Sequence, residues 1–123
     1  MITKTEKILA HLNLTDTNYQ AITLSRSKLL ELNRLNLLTL SERQNNGPDI
    51  EDMINFTCEN PFIEVEFSGY IIGTERADHR LTIDCMNFTY ENSQQLALIA
   101  NKFHYADEFE VESETCKVRA WWD

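Results

Sequence analysis

The spacing of apolar residues changes from a helical period to a period of two near residue 61. Before that point apolar positions recur every three or four residues, which predicts about three to four helices. After it they alternate with polar positions, which predicts strands. We therefore expect an α+β fold in a single domain, with a helical part over residues 1–60 and a sheet part over residues 61–123.

Capping signals predict the first helix, and a proline predicts the last helix of the helical part. Thr3 and Glu6 have the spacing of a capping box, which predicts a helix from Thr3 to Leu12. Pro48, directly after Gly47, suits the start of a short helix that ends before the Asn60–Pro61 pair, because a residue that precedes proline avoids the helical region.

A leucine-rich run between these two helices predicts more helix, from Asn18 to about Gln44. Eight leucines between Leu24 and Leu40 point in almost every direction around a helix axis, whereas a surface helix shows one apolar stripe. Residues 18–44 therefore form either one long helix covered on several sides or two helices that break near residues 33–36, and we favour the second. The leucines favour an intramolecular core, with a homodimer through Leu24–Leu40 as the alternative.

The sheet part is predicted to contain two strands, one helix and two further strands, in an antiparallel sheet of four strands with order β-β-α-β-β. The strands are expected near residues 62–72, 81–90, 108–112 and 116–122. Leu96, Ile99, Ala100 and Phe103 form the stripe of a helix over residues 93–104 that covers the sheet, capped by Asn92 or Ser93. Gly69 allows a bulge, and a slip of the apolar phase predicts another at Cys85–Met86.

The polar side of the predicted sheet is mostly acidic. Its outward positions are Glu64, Glu66, Asp84, Glu108, Glu110 and Glu112. Trp122 is expected to face the core, which puts Trp121 outside beside Lys117 and Arg119, where the two cations can pair with Glu108 and Glu110. This set with Trp121 is either a solvated face that blunts the sheet edges or a docking surface for a basic partner.

Charge is distributed unevenly along the chain, whose formal net charge is -9. Residues 1–57 hold seven acids and six bases, whereas residues 58–123 hold thirteen acids and five bases. The excess of negative charge therefore lies in the sheet part. A field of that sign repels phosphate and anionic lipid and attracts basic surfaces, which argues against nucleic acid and membranes as partners.

No motif in the chain indicates catalysis, a metal ion or a cofactor. Cys58, Cys85 and Cys116 are single and widely spaced, as are His79 and His104, whereas zinc sites usually show paired ligands. The cysteines are interpreted as reduced thiols packed as small apolar residues. With no signal peptide and no membrane span, we expect a cytoplasmic protein.

These observations favour a small acidic non-enzymatic protein that inhibits a larger basic, nucleic-acid-binding protein such as a nuclease or a CRISPR effector. Phage anti-defence proteins of the anti-CRISPR type are one such class, and toxin-immunity proteins are the alternative. A further alternative is a helix-turn-helix DNA-binding regulator that uses residues 18–40, with Arg26 and Lys28 opening the recognition helix. A third is an enzyme with an unobvious site around His104 and the nearby acids.

Overall fold

A computed structural model describes all 123 residues and confirms the α+β class. The helices are α1 (Lys4–His11), α2 (Arg26–Arg34), α3 (Ile50–Glu59) and α4 (Ser93–Phe103). The strands are β1 (Tyr19–Ser25), β2 (Glu64–Ile72), β3 (Arg80–Thr89), β4 (Glu108–Glu112) and β5 (Lys117–Trp121). All pairs are antiparallel, in the order β1-β2-β3-β5-β4. The sheet therefore has five strands, and the prediction of four is wrong.

The additional strand is β1, which lies where the sequence predicts helix. Ile22 and Leu24 are buried while their neighbours are exposed, which is the period of two typical of a strand. β1 pairs along its whole length with β2, from Tyr19 opposite Ile72 to Ser25 opposite Glu66. This pairing with a distant segment prevails over the local helical pattern, because it satisfies the backbone and buries the two apolar side chains.

Strand β1 passes directly into α2, without an intervening loop. The Ser25 hydroxyl accepts a hydrogen bond from Lys28 N at 3.1 Å and so caps the helix. The helix ends at Arg34, and Asn36 then adopts a positive φ of 59° that stops it. Helix α2 thus ends within the predicted break at residues 33–36. The prediction of two helices over residues 18–44 is nevertheless wrong, because residues 19–25 form β1 and residues 35–49 form no helix.

The leucine-rich run contributes mainly to the protein's own core. Leu24, Leu29, Leu32 and Leu38 are buried, and only Leu35 and Leu40 are well exposed. Only two well-exposed leucines in this region are therefore left for a second copy of the chain.

Capping positions predicted from the sequence are confirmed at both ends of the chain. Thr3 and Glu6 form a complete capping box at α1, and Asn92 accepts a hydrogen bond from Gln95 N at the start of α4. Helix α3 begins after the cap Asp49, which accepts from Asp52 N at 2.8 Å. Local polar signals therefore set the helix starts.

Strands β2 and β3 form the central hairpin of the sheet. Their register changes from Ser68 opposite Cys85 to Gly69 opposite Ile83, which leaves Asp84 as the extra residue of a bulge. The two strands have a single bulge, which lies opposite Ser68–Gly69 as the glycine predicts. Its extra residue is Asp84, one position before the predicted Cys85–Met86.

An aromatic cluster joins the helices to one face of the sheet. The Phe88 ring of β3 lies 5.7 Å from Phe56 of α3 and 5.5 Å from Phe103 of α4, measured between centroids. Phe103 also contacts the ring of Trp122 at 6.0 Å. Because these rings belong to one continuous core, the face of the sheet that carries Phe88 is covered by helices and the opposite face is left for polar residues.

Gly69→Ala should destabilise the protein by about 3 kcal/mol. A Cβ at this position would lie 1.9 Å from the carbonyl oxygen of Thr82 in β3, so the central hairpin would have to separate at the bulge. Urea denaturation followed by circular dichroism measures the change. Ser68→Ala is the matched control and should cost about 1 kcal/mol or less; equal stabilities for the two variants would contradict the expectation.

Candidate functional site: the outer face of the sheet

The sheet face turned away from the helices, termed here the outer face, shows a regular arrangement of charged and polar residues. Cross-strand pairing places them in three rows that run across β2, β3, β5 and β4. The rows are Glu64-Thr89-Lys117-Glu112, Glu66-Asn87-Arg119-Glu110 and Ser68-Cys85-Trp121-Glu108. In the first two rows carboxylates therefore stand at both ends, with a neutral polar residue and a cation between them.

The first two rows line a shallow depression with a volume of about 510 Å³. Its four glutamates are Glu64, Glu66, Glu110 and Glu112, all exposed. Three strand-to-strand steps separate the β2 glutamates from the β4 glutamates, which corresponds to about 14 Å. The structure thus brings together four of the seven residues that the sequence indicated for partner binding.

The cations of the outer face neutralise the two sides unequally. The Arg119 guanidinium lies 2.9 Å from Glu108 Oε1 and 3.1 Å from Glu110 Oε1. The predicted pairing of Arg119 with these acids is therefore confirmed, and its hydrogen bond with Glu108 raises the pKa of Arg119. Lys117 stands opposite Glu112 and makes no ion pair, so the predicted pairing of Lys117 with Glu108 or Glu110 is wrong.

The β2 side of the face has no cation of its own. Neither Glu64 nor Glu66 lies within 4.0 Å of a basic group, and the residues opposite them on β3, Thr89 and Asn87, are neutral. Glu66 also stands opposite Ser25 of β1. The two β2 carboxylates are therefore exposed, uncompensated and free to contact another molecule.

The other three predicted residues, Asp84, Glu108 and Trp121, lie outside the depression. Asp84 occupies the bulge and is half-buried, so its carboxyl is not a surface charge like those of the glutamates. Desolvation raises the pKa of Asp84, against the opposing effect of Arg119. The alternation on which the sequence prediction relied fails here, because the bulge shifts the phase of β3.

The two C-terminal tryptophans face opposite sides, as predicted. Trp122 is buried in the core, while Trp121 is half-buried on the outer face. The Arg119 guanidinium lies over the Trp121 ring at 5.9 Å from its centroid. Trp121 therefore packs against Arg119, so less of its indole surface is available to a partner than an isolated exposed indole would offer.

Phe62 is a surface residue that the sequence analysis did not single out. Its side chain is 82% exposed, the highest value of any aromatic residue in the chain. It comes two residues before Glu64, and the core side chain Ile63 separates them. Extending the period of two back to residue 62 indicates an outward Phe62, although the structure places this residue in the turn before β2.

Residues proposed for DNA binding are engaged within the protein. The segment expected to form the first helix of a helix-turn-helix is strand β1, so the required helix pair is absent. Arg26 donates to the carbonyl oxygens of Thr57 at 2.7 Å and Asn60 at 2.9 Å. Lys28 pairs with Glu31 at 3.2 Å. The hypothesis of a helix-turn-helix over residues 18–40 is therefore wrong.

The remaining titratable residues are dispersed. His104 is exposed, and its Nδ1 lies 2.7 Å from the Ala100 carbonyl oxygen of its own helix. All three cysteines are free; Cys85 is buried, and burial raises the pKa of its thiol. No group of three or more His, Cys, Asp or Glu side chains is positioned to hold a metal ion.

Asp84→Asn should make the protein more resistant to urea at pH 7. Because the pKa of Asp84 is raised on folding, the folded state holds this proton more tightly than the unfolded chain, and stability falls as pH rises above the ordinary value of 3.8. The advantage of the variant should shrink as pH is lowered below that value, where Asp84 is protonated in both states. Glu114→Gln, in the exposed β4–β5 turn, is the control; a lower urea midpoint for Asp84→Asn at pH 7 would refute this expectation.

Comparisons with protein-family models, curated proteins and solved structures find no match for this chain. None of its helices combines the length and the apolar character that crossing a membrane would require.

Proposed function

We propose that this protein is a non-enzymatic inhibitor that binds a larger basic protein and covers its nucleic-acid-binding surface. The outer face of the sheet is the binding surface, and Glu64 and Glu66 are its principal contacts. Targets of this chemistry include nucleases and CRISPR effectors, so the proposal places the protein among anti-defence inhibitors of the anti-CRISPR type. A toxin-immunity protein that covers a nuclease toxin would use the same contacts.

The observation that supports this proposal is the uncompensated pair of carboxylates on β2. Glu64 and Glu66 are exposed, and no basic group lies within ion-pairing distance of either. Alternate residues of a strand are about 6.6–6.8 Å apart, so the two carboxylates form a row of like charges. Such a row can pair with lysines and arginines that would otherwise contact the phosphates of a nucleic-acid strand.

Long-range electrostatics act in the same direction. The net charge is -9, and most of the acidic excess lies in residues 58–123, which include the strands of this face. A field of this sign accelerates encounter with a positively charged cleft and slows encounter with nucleic acid. The shallow shape of the depression suits a protein surface better than a small substrate, which a closed pocket would hold.

The proposal predicts that Glu64→Lys/Glu66→Lys weakens target binding at least about tenfold, because lysines would then face the lysines and arginines of the target. Immobilised wild-type protein is used to isolate its partners from the heparin-binding fraction of a host lysate. Affinity for each isolated partner is measured by surface plasmon resonance, and the partner's binding to labelled DNA by gel shift. Addition of the wild-type protein should release the DNA.

Glu59→Lys/Glu75→Lys is the control, since it makes the same change of net charge at exposed positions away from the depression. It should keep most of the affinity. Equal binding by the Glu64/Glu66 variant and the wild type would show that the outer face is not the interface. A partner that keeps its DNA in the presence of the wild-type protein would refute inhibition by occupation of the nucleic-acid site.

A further inference from the structure

Phe62 stands at the end of the β2 glutamate row. It lies in the turn that precedes β2, is 82% exposed, and lines one surface concavity together with Glu64 and Glu66. A large aromatic side chain in water offers 150–250 Å² of surface for burial. The row therefore begins with an apolar group and continues with two carboxylates.

The turn that presents Phe62 is held in place by one arginine. Arg26, the first residue of α2, donates from Nη2 to the carbonyl oxygens of Thr57 and Asn60 and from Nη1 to that of Pro61. Ile63 N in turn donates to Asn60 O at 3.1 Å. These bonds fix the backbone on both sides of Phe62, so ordering the turn adds little to the entropic cost of binding.

The surroundings of Phe62 are acidic. A surface concavity of about 430 Å³ is lined by Phe62, Pro61, Glu64, Glu66 and Glu91. None of these three glutamates makes an ion pair within the chain. Arg26 also borders the concavity, but carbonyl oxygens at the end of α3 already engage its guanidinium. An exposed ring next to uncompensated carboxylates complements a surface in which basic groups flank an apolar one.

We infer that Phe62 is the apolar anchor of the partner interface and inserts into a hydrophobic pocket rimmed by lysines or arginines. This inference rests on the proposed function, because it specifies the part of the basic partner that the β2 row contacts. Phe62 supplies the buried centre of the contact, and Glu64, Glu66 and Glu91 supply the charged rim.

A second copy of this chain does not fit the same surface. Two copies joined through Phe62 would bring Glu64, Glu66 and Glu91 of one molecule against the same three carboxylates of the other. Like charges placed together in this way oppose association. Charge complementarity thus selects a basic partner.

Two synthetic peptides test the inference, KKKLLKKK with an apolar centre and KKKSSKKK with a polar centre. The wild type should bind the leucine peptide about tenfold more tightly than the serine peptide, which is about 1.4 kcal/mol. Phe62→Ala should abolish this preference. Glu64→Gln/Glu66→Gln should lower the affinity for both peptides and reduce the salt dependence of binding, while the preference for the leucine peptide remains. Calorimetry at two salt concentrations measures all the affinities.

Leu98→Ala, which truncates an exposed leucine on α4, is the control and should keep the tenfold preference. The inference is overturned if Phe62→Ala keeps the preference, if the wild type shows none, or if sedimentation reveals a wild-type dimer that Phe62→Ala dissociates. If Phe62→Ala keeps the preference for leucine while the Glu64/Glu66 variant binds both peptides more weakly, Phe62 is not the anchor but the proposed function still stands. Unchanged peptide affinities in both variants would count against both proposals.

Discussion

Burial of one face of the sheet under the helices is the interaction on which the rest of the structure depends. Phe88 of β3 contacts Phe56 and Phe103, so α3 and α4 are held to the same side of the central hairpin. Once the helices occupy that side, alternation along each strand assigns every second residue to the outer face. The arrangement of Glu64 and Glu66 follows from the packing of the core, because a slip of one residue would bury them and expose Val65.

Elements with strong local signals could be predicted from the sequence, and an element that depends on distant pairing could not. The capping box at Thr3 locates α1, and the apolar stripe that ends at Phe103 together with the cap Asn92 locates α4. Strand β1 was missed because only Ile22 and Leu24 show its period, and because Ser25 ends the strand and caps α2 without any Gly or Pro between them. Its hydrogen-bonding partner is β2, more than forty residues later, and no local pattern reports such a pairing.

The outer face was predictable where strands are regular and not where they are irregular. Alternation correctly assigned the glutamates of β2 and β4 to the surface, and it also indicated that Trp122 and not Trp121 joins the core. It failed at Asp84, since the extra residue of a bulge belongs to neither phase. The sequence also does not show that the β2 glutamates lack a cation. That difference depends on the strand order, because β5 lies between β3 and β4 and brings Arg119 beside Glu108 and Glu110.

The position of each strand in the sheet distinguishes the two rows of glutamates. Strand β4 is an edge strand, where charged side chains prevent pairing with other molecules, so solubility is a sufficient reason for its glutamates. Strand β2 lies between β1 and β3 from Glu66 to Ile72, so Glu66 has a paired strand on both sides, whereas Glu64 lies beyond the last β1 pair. Both positions carry glutamate, which has poor strand propensity. Arg119 compensates acids of β4, whereas Glu64 and Glu66 have no cation. Edge protection therefore does not account for Glu66, and the proposed contact with a basic partner would give a reason for its charge.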